Sequence, residues 1–164
     1  MVTYSLLIPP PGPVPQVWLS ANDRLHYMHR ARLTKAWRTT AAVAARSRHI
    51  PRLQRAAITA RVHFADTRRR DIANYHPTVK AVIDGIVDAC VLPDDNDNHV
   101  IGPDLRRGYG AIACVQLLIS PVDITEPDSA PCGLCDAWCP PDAVVCQRCE
   151  QVWLDTDHER REAA

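Results

Sequence analysis

The chain is organised around residues 68–97, RRRDIANYHPTVKAVIDGIVDACVLPDDND. Three arginines run directly into Asp71, a helical segment carrying Lys80 follows, and an aspartate-rich loop comes after it. Apolar residues recur at helical spacing over residues 79–90, which predicts a helix with that face in the core. Pro77 suits the first turn of this helix, because an N–H at that position would have no partner within the helix.

Acidic residues stand at two separated points of this stretch, at Asp71 and in the loop that contains Asp94, Asp95 and Asp97. Mg²⁺ prefers carboxylate oxygens and keeps several water molecules that a substrate phosphate can replace. Arginine beside such carboxylates is suited to binding a phosphate chain. The four aspartates are therefore candidate Mg²⁺ ligands of an enzyme that cuts nucleic acid. Taken alone, the loop would be better explained as an ordinary turn rich in Asp and Asn.

Lys80, Asp84 and Asp88 are four residues apart, so they share one face of the predicted helix. A solvated ladder of charged side chains is the alternative interpretation, and we favour it for Asp88. Lys80 and Asp84 are nearer the start of the helix and are close enough to Asp71 to reach the site.

The formal net charge of zero conceals a strong asymmetry along the chain. Residues 24–70 contain 13 Lys and Arg residues and one acid, whereas residues 71–164 contain 6 Lys and Arg residues and 17 acids. The basic block is typical of a phosphate-binding surface; the alternative is a solvated helix face with a basic loop. The candidate DNA contacts are Arg30, Arg32, Lys35, Arg68, Arg69, Arg70 and Asn74.

The remaining elements are predicted from periodicity and from helix-breaking residues. Five prolines and one glycine in residues 9–15 predict an extended connector. Residues 26–32 are predicted to be a loop that binds phosphate or an unpaired base, or else an ordinary surface loop. Thr34 suits the N-cap of the helix that follows. The predicted elements are strand 2–8, helix 35–46, strand 57–64, helix 77–90, strand 111–119 and a linker over residues 121–131.

Two Cys-x₂-Cys pairs, separated by ten residues, stand in the segment 132–164. Each pair can hold one side of a tetrahedral Zn²⁺, which predicts a structural zinc ribbon. Disulfides are the weaker interpretation, because nothing marks the chain for export and the cytosol is reducing. The predicted zinc ligands are Cys132, Cys135, Cys146 and Cys149.

The other cysteines have simpler explanations. Cys139 is expected not to bind zinc; the alternative is that it replaces one of the four ligands. Cys90 and Cys114 are expected in the core. With few apolar groups, the segment 132–164 is expected to fold only around its metal ion. Its acidic charge argues against DNA binding and favours a protein partner, contact with a second copy, or simple stabilisation.

We expect neither a secretory signal nor a membrane-spanning segment in this sequence. No apolar run is long enough to span a bilayer, and no basic segment precedes the apolar residues at the start of the chain. We therefore expect a cytoplasmic protein with no membrane partner.

One composite motif runs through residues 68–97, and it consists of Arg68-Arg69-Arg70-Asp71-x-x-Asn74, Lys80, Asp84-Gly85 and Leu92-Pro93-Asp94-Asp95. The motif closely resembles that of the RusA family of Holliday junction resolvases, in the form carried by phages and prophages of actinobacteria. The resemblance covers roughly residues 1–120 and is specific within residues 68–97. It implies a small α/β (α+β) fold with a mixed sheet and flanking helices, a homodimer, and Mg²⁺-dependent resolution of four-way DNA junctions by paired nicks.

The same resemblance implies roles for individual residues. Asp71 and Asp95 would be metal ligands, Lys80 a catalytic lysine and Arg70 a phosphate contact. Many family members carry a second aspartate where this chain has Ala73, which cannot bind metal. Another aspartate of the stretch, at position 84, 94 or 97, would have to supply that carboxylate. The lysine also stands three residues further along than in the shorter form of the motif.

Three other functions are compatible with the sequence. The first is a general nuclease for flaps and branched DNA on the same scaffold. The second is a non-catalytic protein that binds junctions, which the alanine at position 73 favours. The third is a zinc-bearing HNH nuclease, and we rank it last because no His-Asn-His arrangement accompanies the cysteines.

Overall fold

The first compact unit of the chain, Met1–Val122, is a mixed four-stranded sheet with two helices packed on one of its faces. The computed structural model describes residues 2–122, together with the backbone of residues 130–131 and 138–139. The strand order is β1-β4-β2-β3, with β2 and β3 parallel and the other neighbours antiparallel. The elements are β1 (Tyr4–Ile8), α1 (Tyr27–Ser47), β2 (Ala56–His63), α2 (His76–Asp88), β3 (Val100–Gly108) and β4 (Cys114–Pro121). The mixed α+β fold expected for this part of the chain is confirmed.

Strand β2 alternates between the core and the opposite face of the sheet. Ala56, Ile58, Ala60 and Val62 are buried beneath the helices, whereas the residues between them are more exposed. This period of two was the signal in the sequence, and the strand predicted over residues 57–64 is confirmed within one residue. The second face of the sheet, which includes Arg61, therefore remains accessible in the described unit.

Strand β3 is an element that the sequence analysis did not predict, because Gly102 and Pro103 interrupt its periodicity. Gly102 has a φ of 102°, and the register of β2 against β3 shifts between Ala57 and Thr59. Proline is tolerated here because β3 is an edge strand, where alternate N–H groups need no partner in the sheet. With α2 as the crossover helix, β3 completes a β2–α2–β3 unit in which the carboxyl ends of the two strands lie side by side.

Helix α1 begins at Tyr27, so the loop predicted over residues 26–32 and the helix start predicted at Thr34 are wrong. His26 provides the cap, because its Nδ1 accepts the N–H of Met28 at 3.4 Å. Arg30 lies within the helix and donates to the carbonyl oxygen of Asp23 at 2.8 Å. Sequence analysis missed these first turns because they have little apolar periodicity; local hydrogen bonds define the helix start instead.

The two helices pack closely where α2 carries Gly85. A Cβ atom at this position would overlap the carbonyl oxygen of Arg38 and would lie 2.7 Å from the Cβ atom of Ala41.

The Arg38 guanidinium also donates to both carboxylate oxygens of Asp88, at 2.9 and 2.7 Å. Asp88 therefore joins α2 to α1 through Arg38, a partner outside the ladder of charges predicted along α2.

A buried threonine joins α2 to the connector that precedes α1. The Thr78 hydroxyl donates to the carbonyl oxygen of Leu19 and accepts its N–H, both at 2.9 Å. Nearby, the N–H of Ala21 donates to the carbonyl oxygen of Asn74 at 2.7 Å. These bonds satisfy buried polar groups and fix the chain beside the start of α2.

The two cysteines of this unit differ from expectation in different ways. Cys90 follows α2 with a φ of 61° and is exposed, so the prediction that it lies in the core is wrong. A left-handed residue ends the helix and turns the side chain off the apolar stripe. Cys114 is half-buried, and burial raises the pKa of its thiol.

The second compact unit is Asp123–Ala164. Its described residues form two short antiparallel strands, β5 (Ala130–Pro131) and β6 (Trp138–Cys139). The predicted zinc ligands Cys132, Cys135, Cys146 and Cys149 lie outside the described residues. Neither helix in the described part combines the length and apolar composition needed to cross a bilayer.

Candidate active site

Three charged residues of the predicted site lie together on α2 and the loop that follows it. The Lys80 ammonium donates to a carboxylate oxygen of Asp84 at 2.7 Å and forms an ion pair with Asp95. The helical repeat brings Asp84 to Lys80, whereas Asp95 reaches it only because the loop folds back along the helix. The two carboxylates are 22% and 25% exposed, respectively, so one ammonium neutralises two partly buried acids.

Asp71 occupies a different position, between the carboxyl end of β2 and the start of α2. It caps the 3-10 turn Ile72–Tyr75, and its Oδ1 accepts the N–H of Ala73 at 3.1 Å. The loop at residues 94–97 instead precedes the amino end of β3. Asp71 therefore precedes α2 and Asp95 follows it, and Asp95 contacts Lys80 near the start of that helix.

The predicted metal ligands do not form one cluster in this structure. Within residues 2–122, no group of three or more His, Cys, Asp and Glu side chains is close enough to hold a metal ion. Asp94 accepts the N–H of Asp95 at 2.8 Å and the side-chain amide of Asn96 at 2.9 Å, and Asp97 is exposed. Asp94 thus makes the bonds of an ordinary Asx turn, while Asp95 is the loop acid that faces α2.

The donor set around Lys80 is nevertheless suited to Mg²⁺. Mg²⁺ often takes only one or two protein carboxylates and completes its octahedron with water and substrate phosphate oxygens. Asp84 and Asp95 provide two carboxylates that converge on one point, where the ammonium supplies the compensating positive charge. Asp84 and Asp95 are therefore the two acids of the predicted site that share one cation.

Arg70 is largely committed to contacts within the protein. Its guanidinium forms a two-pronged ion pair with Asp66, with one of the two hydrogen bonds 2.8 Å long, and lies 4.4 Å from the centroid of the Phe64 ring. The Arg70 hydrogen bond is the main cause that lowers the pKa of Asp66 from 3.8 to about 2. Arg68 and Arg69 are exposed, so they are better placed than Arg70 to meet a phosphate.

The other candidate DNA contacts lie on α1 or next to α2. Arg30 and Lys35 line a hollow of about 640 Å³ on α1, and Arg32 is exposed on the same helix. Asn74 is half-buried and uses its backbone carbonyl to hold the N–H of Ala21. The three basic residues therefore form a positively charged surface on α1, whereas Asn74 has a structural role.

A further basic region, which was not predicted from the sequence, lies at the carboxyl ends of β2 and β3. Arg61, Arg106, Arg107 and Tyr109 line one hollow of about 660 Å³ there. The segment Arg106-Arg107-Gly108-Tyr109-Gly110 carried the available signal, two arginines beside an aromatic residue between glycines. Its significance depends on β3, which the sequence pattern did not predict.

Neither the models of known protein families nor the curated proteins include a match to this sequence.

Proposed function

We propose that this protein is a Mg²⁺-dependent endodeoxyribonuclease that resolves four-way DNA junctions by paired nicks, as its resemblance to the RusA family implies. The observation that supports this best is the convergence of Asp84 and Asp95 on Lys80, a combination of acids and a cation suited to phosphodiester cleavage. The exposed Arg68 and Arg69 add positive charge for the DNA backbone.

Each residue has a distinct role in this proposal. Asp95 and Asp71 would hold Mg²⁺, with Asp84 supplying the carboxylate that Ala73 lacks. The bound ion would provide an activated water molecule and neutralise charge on the phosphate. Lys80 would position that water or offset the charge that develops at the phosphorus centre. Arg70 would position Asp71 without contacting the substrate, because its ion pair with Asp66 orders the chain just before Asp71.

The assembly that would cut both strands is a homodimer. A two-fold axis relates two identical sites in such a dimer. A four-way junction has an approximate two-fold axis of its own, so the paired sites would meet opposing strands. Recognition would depend on junction shape and backbone charge, since phosphate contacts carry little sequence information. The zinc-binding segment would serve stability, dimer contact or a protein partner.

A second candidate function is junction binding without cleavage. Two observations favour it: Ala73 occupies a position of a family carboxylate, and residues 2–122 contain no cluster of three metal-ligating side chains. Such a protein would bind a synthetic junction persistently and would not nick it in Mg²⁺.

A cleavage assay with a synthetic four-way junction in Mg²⁺ tests the proposal. Asp71→Asn and Asp95→Asn should abolish cutting and leave binding, measured by gel shift, largely intact. Asp88→Asn is the matched control and should cut at the parental rate, because Asp88 pairs with Arg38 on the surface. Parental cutting by both test variants would show that the site is assigned wrongly.

The parental protein itself separates the alternative functions. Binding without Mg²⁺-dependent nicking would establish the non-catalytic candidate. Equal cutting of junctions, flaps and duplexes in competition would identify a general nuclease on this scaffold.

A further inference from the structure

The turn that joins β3 to β4 presents two large apolar side chains to solvent. Tyr109 is 85% exposed and Ile112 is 77% exposed. The turn leaves the carboxyl end of β3, where Gly108 is in register with His63 at the end of β2. In open α/β sheets, ligands bind outside the carboxyl ends of the strands, so this is a favoured place for a binding site.

Two hollows adjoin at this turn, where both are lined by Arg107, Gly108 and Tyr109. The first, of about 360 Å³, is lined by Arg69, Arg107 and Tyr109. The second, of about 660 Å³, is lined by Arg61 and again by Arg107 and Tyr109. We call these residues, Arg61, Arg69, Arg107 and Tyr109, the turn groove.

The turn groove carries uncompensated positive charge. The two acids that line the hollows are each paired with another arginine, Asp66 with Arg70 and Asp104 with Arg106 at 2.8 Å. Arg61 and Arg69 form no ion pair within residues 2–122. Arg107 donates to the carbonyl oxygen of Arg68 at 3.0 Å, which orients its guanidinium without removing the charge.

The floor of the groove depends on a glycine. A side chain at Gly108 would overlap the His63 ring, so only glycine lets the imidazole lie against β3. The His63 Nε2 atom is buried and has no hydrogen-bond partner among the described residues. The His63 ring lies against Gly108 and lines the larger hollow together with Tyr109.

We propose that the turn groove binds an unpaired DNA strand, with Tyr109 stacked on a base and the three arginines on its phosphates. Aromatic stacking with cationic contacts is the general way in which proteins hold single strands without sequence preference. This inference rests on the proposed function and deepens it, because it gives the nuclease a contact for bases that open at a branch point. A continuous duplex offers no unpaired base to Tyr109.

Binding of labelled oligothymidine by the full chain, measured by fluorescence anisotropy in buffer with no added Mg²⁺ and no chelator, tests the groove without cleavage. Tyr109→Ala should weaken binding about tenfold, whereas Tyr109→Phe should bind like the parent because the stacking ring remains. The double variant Arg61→Gln, Arg107→Gln should reduce the salt-dependence slope by about 1.4, since each phosphate contact contributes about 0.7. Arg52→Gln, an exposed arginine just before the amino end of β2, is the control and should keep the parental slope.

Three results would overturn the inference: no oligothymidine binding by the parent, Tyr109→Ala binding within twofold of the parent, or equal slopes for the double variant and the control. These outcomes are independent of catalysis, because the binding assay contains no added Mg²⁺. A protein that cuts junctions while Tyr109→Ala binds oligothymidine normally would retain the proposed function and lose the groove. If the parent cuts no DNA, the oligothymidine assay would still show whether Tyr109 contributes to binding.

Discussion

The ammonium of Lys80 forms an ion pair with the carboxylate of Asp95 and so ties the loop after α2 back onto the helix. The same ammonium bonds to Asp84, one helical turn further along. Lys80 therefore compensates two acids that would otherwise repel each other. A metal ion binding to these acids would compete with the lysine for the same oxygens.

Replacing Lys80 with Met should abolish junction cutting and tighten Mg²⁺ binding. Removal of a unit charge about 4 Å from a carboxylate is worth about 1 kcal/mol in water-like surroundings, or about fivefold in the dissociation constant. The measurement is the thermal unfolding midpoint against MgCl₂ concentration at constant ionic strength. Lys80→Arg, which keeps the charge, should respond to Mg²⁺ like the parent. Weaker stabilisation of Lys80→Met by Mg²⁺ would argue against a metal site at these acids.

Gly85→Ala should destabilise the fold, because the new methyl group would meet the Arg38 carbonyl oxygen on α1. Overpacking of this kind costs about 1–3 kcal/mol, more than the gain of roughly 1 kcal/mol from the better helix propensity of alanine. Urea denaturation measures the difference. Gly110→Ala should be nearly neutral, because a Cβ atom there would have an ordinary contact of 3.4 Å with His63. Equal stability of the two variants would contradict the close helix contact.

Asp66→Asn should change the acid sensitivity of the protein. The pKa of Asp66 is lowered to about 2 in the folded chain, so its carboxylate stabilises the fold above its ordinary pKa of 3.8. That contribution is lost as the pH falls from about 4 to about 2. The parent should therefore lose its stability advantage over Asp66→Asn across this interval, as measured by urea denaturation at several pH values.

Asp97→Asn is the reference for this experiment, since Asp97 forms no ion pair within residues 2–122. Its stability difference from the parent should show a weaker trend over the same interval. A parent–variant difference for Asp66→Asn that stays constant with pH would refute the role of the Arg70 pair.

Protein purified without added metal should contain about one Zn²⁺ per chain by elemental analysis. Cys132→Ser and Cys146→Ser should lose this zinc, whereas Cys139→Ser should retain it if that cysteine is spare. Chelation should unfold the C-terminal segment, because structural zinc provides most of the folding free energy of so small a unit. A clear absence of zinc in the parental protein would rule out the ribbon.

Local patterns predicted the elements whose signals lie within a few residues. The alternation of Ile58, Ala60 and Val62 identified β2, and the spacing of Val79, Ile83 and Ile86 identified the buried face of α2. The pairing of Lys80 with Asp84 was also predictable, because residues four apart on a helix are neighbours. In each case the regular repeat of a strand or a helix fixes how far apart in space two residues lie when their separation in the sequence is known.

Features that have no regular apolar repeat in the sequence were missed. Strand β3 contains Gly102 and Pro103, and only its edge position beside β2 makes them compatible with a strand. The start of α1 at Tyr27 depends on the cap from His26 and on the bond between Arg30 and Asp23. Cys90 has the spacing of a core residue, yet its left-handed backbone ends α2 before it.

The sequence by itself determined the repeats: which residues of β2 and α2 enter the core, and which charges share one helix face. Only the tertiary structure decided which of the acids meet, because a loop has no fixed repeat and its direction depends on what it packs against. The fold brought Asp95 to Lys80 and placed Arg69, Arg107 and Tyr109 around one hollow. Such contacts join residues far apart in the chain, and their distances are set by packing between elements.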